Sequence, residues 1–279
     1  MQHYKHYHSI QNKYNLSVTK LKSCSFLIEE VAKRMVERLN YIKSIPQNII
    51  DLGSGLNIDS DFLHSIFPKA TIYQIDFAIN MLKHNKLKLN FFTGLFYKNN
   101  SKICANVVKL PIRNVSIDLA WANMLNNYIH QNDLSIYFLE IKRVLKSSGY
   151  FLMTMLGANT LEQLREVGLN TFNFPDMHVI GDLLIKADFY DIVTDVEYIK
   201  LEYDDPMQLL SDIRLIGCGA VLSSNYLGKA QYINLENKLN ALKQNDKISL
   251  TLELITLHGW SNNNIINTNN IIPIRNLGR

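Results

Sequence analysis

Cysteine is scarce in this 279-residue chain: Cys24, Cys104 and Cys218 are odd in number and far apart. They lack the paired spacing of a disulfide framework or a zinc site, and read as ordinary buried thiols. No apolar run approaches the length that spans a bilayer, and the opening MQHYKHYHSI has no apolar core of a secretory signal. A cytoplasmic protein with no membrane partner is expected. Charge is sparse too, at 19% of residues and a mild net +4, with no basic run and with aromatics scattered rather than interleaved with Arg and Lys. No nucleic-acid partner is expected. His3, His6 and His8 have no Cys or carboxylate near them, so they read as a solvated tail and no metal is expected. Internal repeats are absent.

What is present is apolar residue in quantity, 47% of the chain, enough for one large core or a core with a small appended lobe. Residues 17–39 place Leu21, Phe26, Val31, Met35 and Leu39 near one helical face, an amphipathic segment that packs on or caps that core. Next comes IIDLGSGLNIDSDFL, residues 49–63. It reads as the end of a buried strand, a tight turn at Gly53-Ser54-Gly55, and a helix over 59–67 with apolar spacing at Phe62, Leu63, Ile66 and Phe67. Two glycines let backbone approach a ligand closely, and the helix start turns free N–H groups towards it. The dinucleotide fingerprint G-x-G-x-x-G is not met, because its third glycine falls on Ile58. The acid-x-G-x-G-x-G loop of S-adenosylmethionine (SAM) enzymes fits better at Asp51, Gly53 and Gly55. Its last glycine is Asn57, a residue able to take positive φ at modest cost. An ordinary strand-to-helix turn stays open as the alternative.

The alternation then repeats. A strand over 71–76 ends on Asp76, placed either to hold both ribose hydroxyls or to cap the next helix as a solvated acid. KICANVVKLP supplies a third strand, VSIDLAWANMLNNYIH a fourth that runs out through Trp121-Ala122-Asn123, and LSIYFLEIKRVLKSSG a helix broken at Ser148-Gly149 before a fifth strand over 150–156. A polar segment (157–175), a helix (180–186), the strand DIVTDVEYIKLEY, another helix and the apolar strand ISLTLELITLHGW complete the pattern. The expectation is an α/β fold: a Rossmann-like, seven-stranded, mainly parallel sheet with helices on both faces, an N-terminal helical segment and C-terminal lid insertions. It divides as a helical cap or lid (1–40), a core (41–157), completion of the sheet with substrate-lid insertions (158–260) and a loosely held Asn-rich tail (261–279).

These segments, in this order over residues 17–260, resemble the class I SAM-dependent methyltransferases. LGANTLEQLREV, DMHVIGDLLIKADFYDIVTD, LEYDDPMQLLSDIRLIGCGA and LTLELITLHGW further resemble the malonyl-acyl-carrier-protein O-methyltransferases of biotin synthesis. The resemblance implies SAM as cofactor, S-adenosylhomocysteine as its product, and an acyl carrier protein bearing a malonyl thioester as partner. It puts Asp51, Gly53, Ser54 and Gly55 at the methionine end and Asp76 with Phe77 at the ribose. Asn106 and Val107 fall at the adenine, where the Asn106 amide oxygen replaces the family's acid as acceptor. Asn123 and Met124 face the methyl group, with Leu125, Tyr14 and His178 on the substrate side. Arg165 and Arg214 are candidates for the substrate's counter-cation or for contacts with the acidic carrier, against solvated helix-face charges. No catalytic side chain is expected, since a malonyl carboxylate is already ionised and needs positioning rather than a base. Two alternatives stay open: a related SAM-binding protein that hydroxylates arginine on a respiratory-complex subunit, and a non-catalytic binding module, suggested by Asn57 and Asn106.

Overall fold

A computed structural model describes residues 2–23, 25–84, 100–217 and 229–262. Two helices, α1 (Gln2–Ser23) and α2 (Ser25–Leu39), precede the sheet. Then β1 (Asn48–Leu52), α3 (Ile58–Ile66), β2 (Thr71–Asp76), α4 (Ile79–His84) and β3 (Asn100–Cys104) form one half. The other half contains β4 (Ile117–Ala122), α5 (Leu134–Val144) and β5 (Leu145–Leu156). Beyond it come α6 (Glu162–Glu166), α7 (Met177–Lys186), β6 (Phe189–Tyr203), α8 (Pro206–Leu215), α9 (Lys229–Asn240), β7 (Lys243–Gln244) and β8 (Lys247–Ser261).

The sheet runs β3-β2-β1-β4-β5-β8-β6, seven strands as expected, with the two-residue β7 folded back on β8 as an eighth. β1 to β5 are mutually parallel, and β8 runs antiparallel between β5 and β6. Strand order reverses between β1 and β4, which opens a crevice outside their carboxyl ends, the usual ligand position in such sheets. The inner strands are apolar on both faces because both faces are covered: Ile49, Ile50, Leu119, Ala120 and Trp121 have no exposed surface. On one face α2 packs Leu27, Val31 and Met35 against Leu63, Trp121 and Leu152. On the other, Tyr137, Phe138 and Ile141 of α5 meet Phe151 and Met153, with Ile180 and Leu184 of α7.

Several expectations need correction. The N-terminal segment is two helices rather than one amphipathic stretch, and Phe26 is half-exposed while its neighbour Leu27 takes the buried place. His8 belongs to α1, not to a loose tail, although it is exposed; the side chains of His3 and His6 lie outside the described residues. β3 stops at Cys104, whose thiol is exposed rather than buried, and 105–111 continues as irregular chain. Cys24, Cys218 and residues 263–279 lie outside the described residues. β5 starts at Leu145, so the Ser148-Gly149 break is an irregularity inside a strand. Ser148 takes φ 64°, and a Cβ on Gly149 would sit 2.9 Å from the Lys146 carbonyl oxygen.

Candidate active site

The crevice is a cleft roofed by α1. Val18, Leu21 and Tyr14 of α1 pack on Ala78, Met81 and Leu215. The Tyr14 hydroxyl donates to the Leu215 carbonyl (2.8 Å), Gln11 Nε2 to the Phe77 carbonyl (2.7 Å), and the Tyr7 hydroxyl to Asp133 Oδ2 (2.7 Å). These bonds tie the helix to α8, to the chain after β2 and to the turn after β4, so α1 closes the side of the cleft the sheet leaves open.

The glycine loop forms its floor. Gly53 and Gly55 have φ of 72° and 46°, and a Cβ on Gly53 would lie 2.6 Å from Leu125 Cδ1. Asn57 takes φ 70°, ψ 15°, the left-handed conformation expected where related loops have glycine. Its side chain is then used: Nδ2 donates to Asp61 Oδ1 (3.0 Å) and Oδ1 accepts from buried Gln74.

Across the strand ends the polar residues follow strand order. After β3, Asn106 and Val107 line the cleft; the Asn106 amide oxygen accepts from the Val108 N–H (3.2 Å), leaving one lone pair. At the end of β2, Asp76 accepts from the Gly55 N–H (3.0 Å) and the Ala78 N–H (2.7 Å). Burial pushes its carboxyl up to about 6, against the lowering effect of those two donors. At the end of β4, Asn123 donates to the Ile28 carbonyl (3.0 Å) and to Asp59 (3.1 Å), while the Met124 N–H donates to Thr154 Oγ1 (3.0 Å). Met124 takes φ 48° as the chain turns sharply into the next segment.

Of the residues the sequence points to, Gly53, Ser54, Gly55, Asp76, Phe77, Asn106, Val107, Asn123, Met124, Leu125 and Tyr14 come together around this cleft. Asp51 does not line it. It is 1% exposed beneath the loop and accepts from the Ser60 hydroxyl (2.5 Å), where burial and the neighbouring Asp59 charge raise its carboxyl well above the usual range. Arg165 lies elsewhere, in a shallow hollow with Thr171 and Phe172, and its guanidinium donates to the carbonyls of Ala158 (3.0 Å) and Thr160 (2.7 Å). His178 is exposed in the first turn of α7, capped there by Asp176, and is not on the cleft wall. Arg214 is exposed on α8 and also absent from that wall; its carbonyl accepts from Lys13.

Sequence reasoning misses Asp59, Tyr7 and Tyr128, all of which line the cleft. Asp59 is 5% exposed and accepts from Trp121 Nε1 (2.8 Å). Burial pushes it up to about 6, with the Trp121 and Asn123 donors acting downwards. In sequence it looks like any acid in the first turn of a helix, and only Trp121 at the end of β4 could have hinted at a buried partner. Among the described residues no cluster of His, Cys, Asp and Glu is placed to hold a metal ion, and no helix is long and apolar enough to cross a membrane.

The residues present fit SAM: the acceptors at the ends of β2 and β3 suit a ribose and an adenine, the buried acids Asp59 and Asp76 on the wall suit a cation and hydroxyls, and the buried Ser54 hydroxyl there has no hydrogen-bond partner among the described residues. Fold and cleft together are those of a class I methyltransferase. A family model described as "Methyltransferase domain" matches residues 50–153. The crystal structure of the YcgJ protein of Bacillus subtilis superposes with a TM-score of 0.60 at 16% identity, covering 84% of this chain and 99% of that one. Among curated proteins, the malonyl-[acyl-carrier protein] O-methyltransferase of Gallionella capsiferriformans is 35% identical over 244 residues, 84% of this chain and 83% of that protein. The protein of the same name from Methylovorus sp. is 33% identical over 248 residues, 85% and 83% respectively. The chain therefore belongs to the malonyl-[acyl-carrier protein] O-methyltransferase family.

Proposed function

We propose that this protein uses SAM to methylate the free carboxylate of a malonyl thioester carried on acyl carrier protein, in the early steps of biotin synthesis. The observation that carries the reading is the 35% identity, spread over 84% of the chain, to a protein of that name. The cleft, with Asp76 at the end of β2, is consistent with it. When bound, SAM supplies an electrophilic methyl group on a positively charged sulfur. The protein's part is then to hold and to exclude. Asp76 accepts from the ribose hydroxyls, Asn106 from the adenine amino group, and the Gly53–Gly55 backbone allows the methionine end to lie close. Tyr14, Tyr128, Leu125 and Ile216 form the apolar side of the cleft, keeping water from the reacting centre and orienting the ionised carboxylate along the line of transfer. Masking the carboxylate as an ester gives the acyl chain an uncharged end, so that it can be elongated like an ordinary apolar primer.

The arginine-hydroxylase alternative gains no support from relatives that carry the malonyl-acyl-carrier name. The binding-module alternative rested partly on Asn57, which keeps the loop in its left-handed conformation. Incubation with methyl-labelled SAM and malonyl-acyl-carrier protein tests the proposal. Base-labile label should appear on the malonyl carrier, not on the unmalonylated carrier, and should fall with Asp76→Ala. SAM binding without transfer would overturn it.

A further inference from the structure

Three carboxylates are buried in this region, two of them, Asp59 and Asp76, on the cleft wall, and their hydrogen bonds separate them. Asp51 is sealed under the loop against Ser60, and Asp76 has each oxygen taken by a backbone N–H. Asp59 is different. Its Oδ1 accepts from Trp121 Nε1 (2.8 Å) and Asn123 Nδ2 (3.1 Å), its Oδ2 has a long contact with the same Asn123 amide (3.3 Å), and the residue's own backbone N–H also acts on the carboxyl. A carboxylate offers about four acceptor positions, so this one, on the cleft wall, keeps capacity for a further donor. Trp121 has no exposed surface, and Asn123 is pinned by the Ile28 carbonyl, so the carboxylate is held in a fixed orientation. The Ser54 hydroxyl, 3% exposed and on the same wall, has no hydrogen-bond partner among the described residues. The described wall residues include no Lys, Arg or His.

Strand order says which part of the cofactor meets this group. With adenine at the end of β3 and ribose at Asp76 on β2, the amino-acid end falls over β1 and β4, where Ser54, Asp59 and Asn123 converge. An isolated buried carboxylate is costly, and a cation brought to it recovers much of that cost. We propose that Asp59 binds the α-ammonium group of the cofactor's methionine moiety, with the Ser54 hydroxyl as the adjoining hydrogen-bond partner of that amino-acid end. This rests on the SAM reading above.

Calorimetry on Asp59→Asn and the wild-type protein, with SAM, S-adenosylhomocysteine and 5′-methylthioadenosine, tests it. The first two carry the ammonium and the third lacks the whole amino-acid end. The variant should lose about tenfold or more for SAM and for S-adenosylhomocysteine, by similar factors, and change by less than about twofold for methylthioadenosine. Equal loss for all three would mark a structural role and overturn the proposal. So would no loss, or a loss confined to SAM, which would assign Asp59 to the sulfonium. A wild-type protein that binds none of the three would remove the SAM reading itself. Should Asp59→Asn not fold, the wild type decides alone. Its preference for S-adenosylhomocysteine over methylthioadenosine should grow from pH 5 to 7.5 as Asp59 ionises, because Asp76 serves the ribose common to both ligands and cancels in the ratio. Asp51, the other acid beside Asp59, is sealed from ligand. A ratio flat across that range would overturn the proposal.

Discussion

Asn57 shows how one side chain can serve both backbone and packing. It occupies the left-handed region at a cost glycine would not incur, yet its amide bonds Asp61 and the buried Gln74. Asn57→Gly should therefore destabilise the protein despite relieving the backbone, by about 1 kcal/mol, because the Gln74 amide loses its buried partner. Urea unfolding measures this. Gly53 allows no such exchange: Gly53→Ala forces φ 72° on a residue with a Cβ and drives that Cβ into Leu125. SAM affinity should fall at least tenfold by calorimetry, since the loop must shift. The acids set the pH dependence. Asp59 and Asp76 have folded-state values raised to about 6 from 3.8, so the stability they contribute is full below 3.8 and lost as pH rises through 6. Their ionised forms suit a cationic, hydroxyl-bearing ligand, so the melting-temperature increase produced by SAM should be larger at pH 7.5 than at 5.5. An equal increase at both would contradict this assignment.

Among elements, the parallel strands were legible because each is a short apolar run closed by turn residues. Asp76 could be placed at a strand end for the same reason. What sequence could not resolve were contacts between distant segments. Arg165 looked available for substrate, but it lies on the short α6, and its guanidinium donates to the Ala158 and Thr160 carbonyls of the turn before that helix and to the Thr171 hydroxyl after it. Arg165→Ala should therefore lower the melting temperature by several degrees and leave SAM affinity within about twofold. His178 looked like a ligand contact, yet α7 packs against α5 and β6, far along the sheet from the cleft wall. Conversely, His3, His6 and His8 suggested a solvated tail at the start of the helical cap, whereas Tyr7, Gln11 and Tyr14 of that helix direct their polar ends to three other parts of the chain. Tyr14→Phe removes the bond to Leu215 while keeping the ring against Tyr128. We expect a raised KM for the acceptor with little change in SAM affinity, as the roof loosens over the apolar side.

For the whole molecule, a sheet with its crevice at the β1/β4 reversal and helices on both faces brings the ends of four strands and α1 to one cleft. Burying acids there without a cation costs stability, and a positively charged cofactor offsets that cost; the same arrangement leaves an ionised carboxylate acceptor free of any general base. Mass spectrometry of the product tests this most directly. After reaction of SAM with malonyl-acyl-carrier protein, fragmentation of the carrier's prosthetic arm should show one added methyl on the malonyl group, removable by mild base. A malonyl group of unchanged mass, in a preparation whose SAM binding has been verified, would contradict it.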